Sequence, residues 1–271
     1  ERQEKVERCI AVARARLALI SHKKEEVKMA TSSICSVIGQ NGKLWPTKDV
    51  LLRLRARLRE LLFTLEGDDI ALDRAINDRR ELVKLAEGGV QDIRWAVEVG
   101  DLVRLLSKRQ YKSNGQSEDF HEAHYLLETA IAITEKETSS NEEVKSQELE
   151  ISHIRGSLYI TMAKLLSSFA RLHLDELALR EASTFYQKYI DITPRAINPK
   201  KRAEILSQIG LIMMDLSEQY GAHAGLKQAI TSFAEAHDIY LEIGLIDLSN
   251  RMRRFLENAQ AAELAYLPPS E

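Results

Sequence analysis

Turn-forming residues are scarce in this 271-residue chain, which holds 12 glycines and 5 prolines, where average usage would give roughly 30 of the two together. That leaves little room for the many turns of a β-sandwich or barrel. Aromatic residues make up only 6% while charged residues reach 29%, the balance of a long helical protein. No run of about 18 apolar residues occurs, which excludes a large membrane protein. Two cysteines, Cys9 and Cys35, cannot form a disulfide framework. There is no N-x-[ST] sequon either, and a cytosolic, reducing compartment is the expectation. The opening Glu1-Arg2-Gln3-Glu4-Lys5 is followed by no apolar stretch, which argues against a signal peptide. The absence of an initiator methionine is expected of a processed chain or a fragment. What the chain does have is 44% hydrophobic residues, enough for a sizeable core and against global disorder.

The net charge of -3 conceals an asymmetry. Residues 1 to 60 hold 14 lysines and arginines against 7 acids; the other 211 hold 24 against 34. The basic N-terminal part could meet an acidic partner, nucleic acid, or the acidic part of a second copy, or could consist of solvated helix faces.

Helical periodicity runs through the chain. Thr47 caps a helix with Asp49 in its first turn, and Leu51, Leu54, Leu58, Leu61, Leu62 and Leu65 form one apolar stripe. Gly67-Asp68-Asp69 stops it. A second helix from Ile70 to Leu85 packs through Leu72, Ala75, Ile76, Leu82 and Val83, up to Gly88-Gly89. Further breaks are expected at Asn114-Gly115-Gln116-Ser117 and from Pro194 to Pro199. Residues 134 to 150 read as a helix end, an acidic solvated loop and a new helix start. Period-2 strand patterns are absent.

Internal repetition is clearest near the C-terminus. Leu206-x2-Ile209-Gly210-x2-Met213 is followed by Ala229-x3-Phe233-x2-Ala236. One unit earlier stand Tyr159-x2-Met162-Ala163-x2-Leu166 and Ala182-x3-Tyr186-x2-Tyr189, with Pro194 beyond. These residues resemble the tetratricopeptide repeat, W-x2-L-G-x2-Y, then A-x3-F, then P. The small residues let two helices approach, and the large residue fills the groove beside them. Weaker units share the scheme: Ala11 with Ala30, Ala56 with Ala75, and Gly100 with Ala123. The second-helix alanines fall at 30, 75, 123, 182 and 229, wider spacings than the family's usual 34 residues. The early units also depart from the pattern, since Arg55 and Arg59 stand at apolar positions and Arg79 replaces the aromatic.

The expected architecture is all-α: a single-domain solenoid of stacked antiparallel helix pairs over 3–38, 48–87, 91–134, 152–193 and 201–242. A helix over 247–264, with Leu248, Met252, Phe255, Leu256 and Ala259 inward, caps it. A compact helical bundle is the competing architecture. The resemblance implies right-handed superhelical curvature.

Catalytic motifs are missing: there is no GxGxxG, Walker loop, HExxH or GxSxG. His121 and His124 share one helix side near Asp119 and Glu128 but lack a third partner at ligand spacing, so no metal is expected. No cofactor is expected, nor an enzyme. Cys9 and Cys35 each lie 13 residues from His22, so a helical hairpin would set them at similar height. They are expected as small buried side chains. Among the arginines of residues 53 to 59, Arg55 and Arg59 border the leucine stripe and are expected to snorkel or pair with a carboxylate. Arg53 and Arg57 are expected exposed.

In the family the chain resembles, ligands lie along a concave wall of first helices. Carried onto this sequence, the wall positions are Arg8, Arg53, Arg57, Arg94, Asp101, Arg104, Lys164, Ser167, Ser168, Ser207 and Asp215. The expected function is a non-catalytic scaffold for a protein or peptide, with an acidic partner and a role as the sensing or regulatory arm of a larger protein among the expectations. Self-association is a further possibility, and no membrane partner is expected. The rival is a nucleic-acid binder using the basic region, in which Trp45 is the only aromatic.

Overall fold

The leucine stripe does form a helix face. In the computed structural model Leu51, Leu54, Leu58 and Leu62 are buried along α3 (Lys48–Glu66), while Leu65 at its end is exposed. Gly67 stops the helix in the left-handed region at φ 69°, where its amide donates to the Phe63 carbonyl at 2.8 Å. The structure describes residues 2–38, 47–87, 93–112, 117–137 and 145–266. The expected breaks at Gly88-Gly89 and Asn114-Gly115, the centre of the acidic segment, and Trp45 lie outside them.

The described residues fold into α1 (Arg2–Ser21), α2 (Lys24–Ile38), α3, α4 (Asp69–Glu87), α5 (Ile93–Lys112) and α6 (Ser117–Glu137). They continue with α7 (Lys145–His173), α8 (Glu176–Ile192), α9 (Pro199–Tyr220), a 3-10 turn (His223–Gly225), α10 (Leu226–Glu242) and α11 (Ile246–Tyr266). No strand occurs among them. The chain divides into two compact units, Glu1–Ile133 and Thr134–Glu271. Each is a stack in which consecutive helices pack antiparallel, the all-α, solenoid-type arrangement expected.

In the first unit, Ala11, Ala15 and Ala18 of α1 meet Val27, Ala30 and Ile34 of α2 and the α3 leucines in one core. Small side chains on α1 allow this close packing. Ala56, Ala75 and Ala123 are buried, and α5 contributes Trp95, Val99, Leu102 and Leu106. Ion pairs accompany the apolar contacts: Arg80 of α4 grips Glu122 of α6, and Arg109 of α5 grips Asp119 of α6.

In the second unit, Asp175 caps α8 by accepting from the Ala178 amide at 3.0 Å, and Asn198 caps α9 through the Lys201 amide at 3.0 Å. Pro199 suits the first helical turn, whose amides lack intrahelical partners. Ala163, Ala182, Ala229, Phe233 and Ala236 are buried. Gly210 of α9 lies against the Phe233 ring so closely that a Cβ there would sit 2.6 Å from it. Only glycine allows this approach. The closing helix α11 buries Ser249, Met252 and Ala259, and leaves Arg251, Arg254, Glu257 and Asn258 in solvent.

Candidate functional site

Four arginines at alternate positions on α3 project in different directions, as helix geometry requires. Arg55 and Arg59 turn toward α4 and share one buried carboxylate. Arg55 forks onto Asp78 at 2.6 and 3.1 Å, and Arg59 reaches it at 2.6 Å. This is the carboxylate pairing expected of them. Arg53 departs from expectation. It is half-buried, held by Glu98 of α5 and, at 3.1 Å, by Asp49. The α3 stripe alone suggested an outward side chain; α5 supplies the acid that turns it in.

Glu98 and Arg79 form the buried centre of this network. Arg79 is 2% exposed and bonds Glu98 at 2.9 Å and Asp101 at 2.7 Å. It stands where the repeat pattern has an aromatic, and that mismatch was the sequence signal for it. Asp101 also approaches Arg104 at 3.5 Å. Arg104 grips Glu60 with both terminal nitrogens, and Lys108 reaches the same carboxylate at 2.7 Å. Burial pushes the Glu60 carboxyl up, but the bonds and charges of Lys108 and Arg104 outweigh it, and its pKa lies below the usual range.

Arg57 differs from its neighbours. It is exposed, and no ion pair engages it among the described residues. It lines a cavity of about 320 Å³ together with Leu19, His22, Glu60, Leu61, Thr64 and Arg104. His22 sits in the two-residue turn between α1 and α2 at φ 54°, a left-handed conformation uncommon outside glycine. Arg57 thus offers an unused fork of donors beside a leucine-lined recess, with Glu60 already neutralised by its own partners.

The remaining wall residues do not gather around this recess. Arg8 is buried, and Arg94 is exposed at the start of α5. In the second unit Ser167 and Ser207 are buried rather than presented to solvent. Ser167 donates to the Lys164 carbonyl at 3.1 Å, and Ser207 to the Ala203 carbonyl at 2.7 Å, with Met252 Sδ at 2.9 Å. Met252 of α11 covers Ser207. Ser168 is half-buried, and Asp215 is paired with Arg171 at 3.1 Å. Lys164 is exposed; partial desolvation and the charge of Lys201 lower its pKa, against the pull of Glu204.

At the histidine pair, Asp119 is engaged by Arg109 and Glu122 by Arg80, while His124 packs on Phe120 and lies 3.6 Å from Glu128. No group of three potential metal ligands occurs among the described residues. The cysteines are free, Cys9 half-buried and Cys35 exposed, so the expected burial fails for Cys35. Its sulfur lies 3.8 Å from Arg59 Nη2 of α3. No described helix is long and apolar enough to cross a membrane.

No protein-family model matches the chain, and no curated protein matches it. Among solved structures it is similar to BtubC (BKLC) from P. vanneervenii, with 13% identity over 95% of each chain and a TM-score of 0.43. It is similar to a circular tandem repeat protein of novel repeat topology, with 18% identity over 93% of this chain and 69% of that one, TM-score 0.38. The third likeness is to the S. pombe nuclear import adaptor Nro1, with 16% identity over 94% of this chain and 97% of that one, TM-score 0.32.

Proposed function

We propose that the chain is a non-catalytic, tetratricopeptide-like scaffold that holds a protein or peptide segment, with an acidic side chain of that segment bound by Arg57. The observation that carries this reading is the exposed Arg57 in the lining of the α3 recess. A planar fork of donors suits a carboxylate, and Leu19 and Leu61 suit an apolar neighbour of that acid. The contact is modest by itself, about 0.2–1 kcal/mol at an exposed site, so affinity comes from several such contacts along an extended segment.

The nucleic-acid alternative has less support. Lys24 and Lys28 bind Glu66, Lys48 binds Glu81, and Arg55 and Arg59 bind Asp78. These five of the 14 basic residues of that segment are engaged by acids that follow it. The free thiols and missing sequons fit a cytosolic setting.

A display library of random peptides panned on the 271-residue chain tests the proposal. Enrichment of peptides carrying an acid beside an apolar residue is expected, with binding weakened by Arg57→Glu. An Arg251→Glu/Arg254→Glu variant on α11 is the control and binds as the parent does. Enrichment that ignores Arg57→Glu, or no enrichment beside salt-dependent binding of generic RNA or DNA, overturns the reading.

A further inference from the structure

The inner side of α1 is covered, but its outer side is not. Val6, Ile10, Leu17 and Ile20 are 52%, 45%, 65% and 79% exposed, and Ala13 is exposed between them. Their spacings of four, three, four and three residues place all five on one stripe, the seam pattern of paired helices. Met29 of α2, 63% exposed, extends it, and Arg14, Leu17, Ala18, Glu26, Met29 and Ala30 line a shallow groove there.

We propose that this stripe is a docking surface for a second copy of the chain, the two α1 helices packing antiparallel about a two-fold axis. Charge selects this occupant and this register. Glu7 and Arg14 lie seven residues apart on the same flank of the stripe, both exposed. When Val6 packs level with the second copy's Leu17, and Ile10 level with the second copy's Ala13, Glu7 stands beside the second copy's Arg14. The two-fold axis repeats the pair with the roles exchanged. One flank therefore complements itself, which an unrelated apolar partner does not require. Each side chain can reach across at little cost. Among the described residues Glu7 accepts from Gln3 at 3.3 Å, and Arg14 makes a long 3.4 Å contact to Ser33; both contacts are exposed. The α1 helix of 20 residues offers a seam about 30 Å long.

Analytical ultracentrifugation of the 271-residue chain across a concentration series tests this. A species of twice 30.8 kDa is expected as concentration rises toward about 100 μM. Leu17→Glu and, separately, Ile20→Glu should leave it monomeric with unchanged circular dichroism and melting, because both side chains lie outside the core. Glu7→Arg alone and Arg14→Glu alone should each weaken association by several-fold to about tenfold, while the double exchange restores it. A chain that stays monomeric throughout overturns the proposal and leaves the stripe to another partner. So does a dimer indifferent to Leu17→Glu, or a double exchange no tighter than the single ones. A parallel pairing sets Arg14 level with Cys9, and Arg14→Glu would then leave association unchanged.

Discussion

Four residues after the alanine of a second helix stands a large buried side chain, apolar or aromatic throughout the second unit but at one place in the first an arginine. In Glu1–Ile133 the alanines Ala30, Ala75 and Ala123 are followed by Ile34, Arg79 and Leu127, all buried, and Arg79 meets Glu98 and Asp101. In Thr134–Glu271 the alanines are Ala182 and Ala229, followed by Tyr186 and Phe233, also buried. The same spacing between paired helices accepts a guanidinium or a ring. A ring fills the groove without a partner of fixed charge. A guanidinium needs acids at set places on the next helix, and α5 supplies them. Buried ion pairs are poor sources of net stability, because desolvation offsets the attraction, but a broken pair leaves a charge stranded. The Arg79 position should therefore be sensitive to loss of one partner, and the Tyr186 and Phe233 positions to changes of volume.

The strongest way to break this contrast is Arg79→Met. It leaves the Glu98 and Asp101 carboxylates without their buried partner, and a loss of about 3 kcal/mol is expected in chemical denaturation. Adding Glu98→Gln should recover part of it, since the stranded charge is then removed. A loss below about 0.5 kcal/mol would show that Arg79 acts as a filler like Phe233.

Next in size is Gly210→Leu, expected to cost about 1–3 kcal/mol by driving a side chain into the Phe233 ring. An unchanged denaturation midpoint would remove the close α9–α10 approach as a constraint.

The contrast sharpens with pH. Burial pushes the Tyr186 hydroxyl up to about 12, against a lowering bond from Ser167. A raised folded pKa gives stability that is present below pH about 10 and lost as pH rises through about 12. Tyr186 alone accounts for about 2–3 kcal/mol of that loss, and Tyr186→Phe should flatten the alkaline limb. Glu60 in the first unit has the opposite sign. Its depressed folded pKa gives stability present above its ordinary value near 4.5 and lost as pH falls through the folded value. Glu60→Gln should flatten the acid limb of the melting profile and leave the alkaline limb unchanged.

The smallest expected effect is that of Arg57→Glu on folding, within about 0.5 kcal/mol. A larger loss would show Arg57 to be part of the ionic network.

The helix type and several helix ends were legible because they depend on neighbours in sequence. Leu51, Leu54, Leu58 and Leu62 mark one face at helical spacing, and Gly67 marks its end. The pairing of Arg55 and Arg59 with an acid was legible too, since arginines bordering an apolar stripe require one. What a single helix cannot show is its next neighbour. Arg53 looked solvent-facing until α5 set Glu98 beside it, and the burial of Ser167 and Ser207 does not show in their own helices. Arg79 was visible only as a mismatch, because its acids lie 19 and 22 residues further along. Exposed Val6, Ile10, Leu17 and Ile20 escaped notice for the same reason: an apolar residue in a helix reads as core until the partner helices are placed.

Trp95, buried in α5 at 2% exposure, gives the chain an optical asymmetry. The only other tryptophan is Trp45, so both indoles belong to Glu1–Ile133. Indole emission therefore follows the ionic half alone, while far-ultraviolet dichroism sums the helices of both halves. Coincident transitions by the two signals would mean that the halves melt as one cooperative system, and separated transitions that each melts on its own.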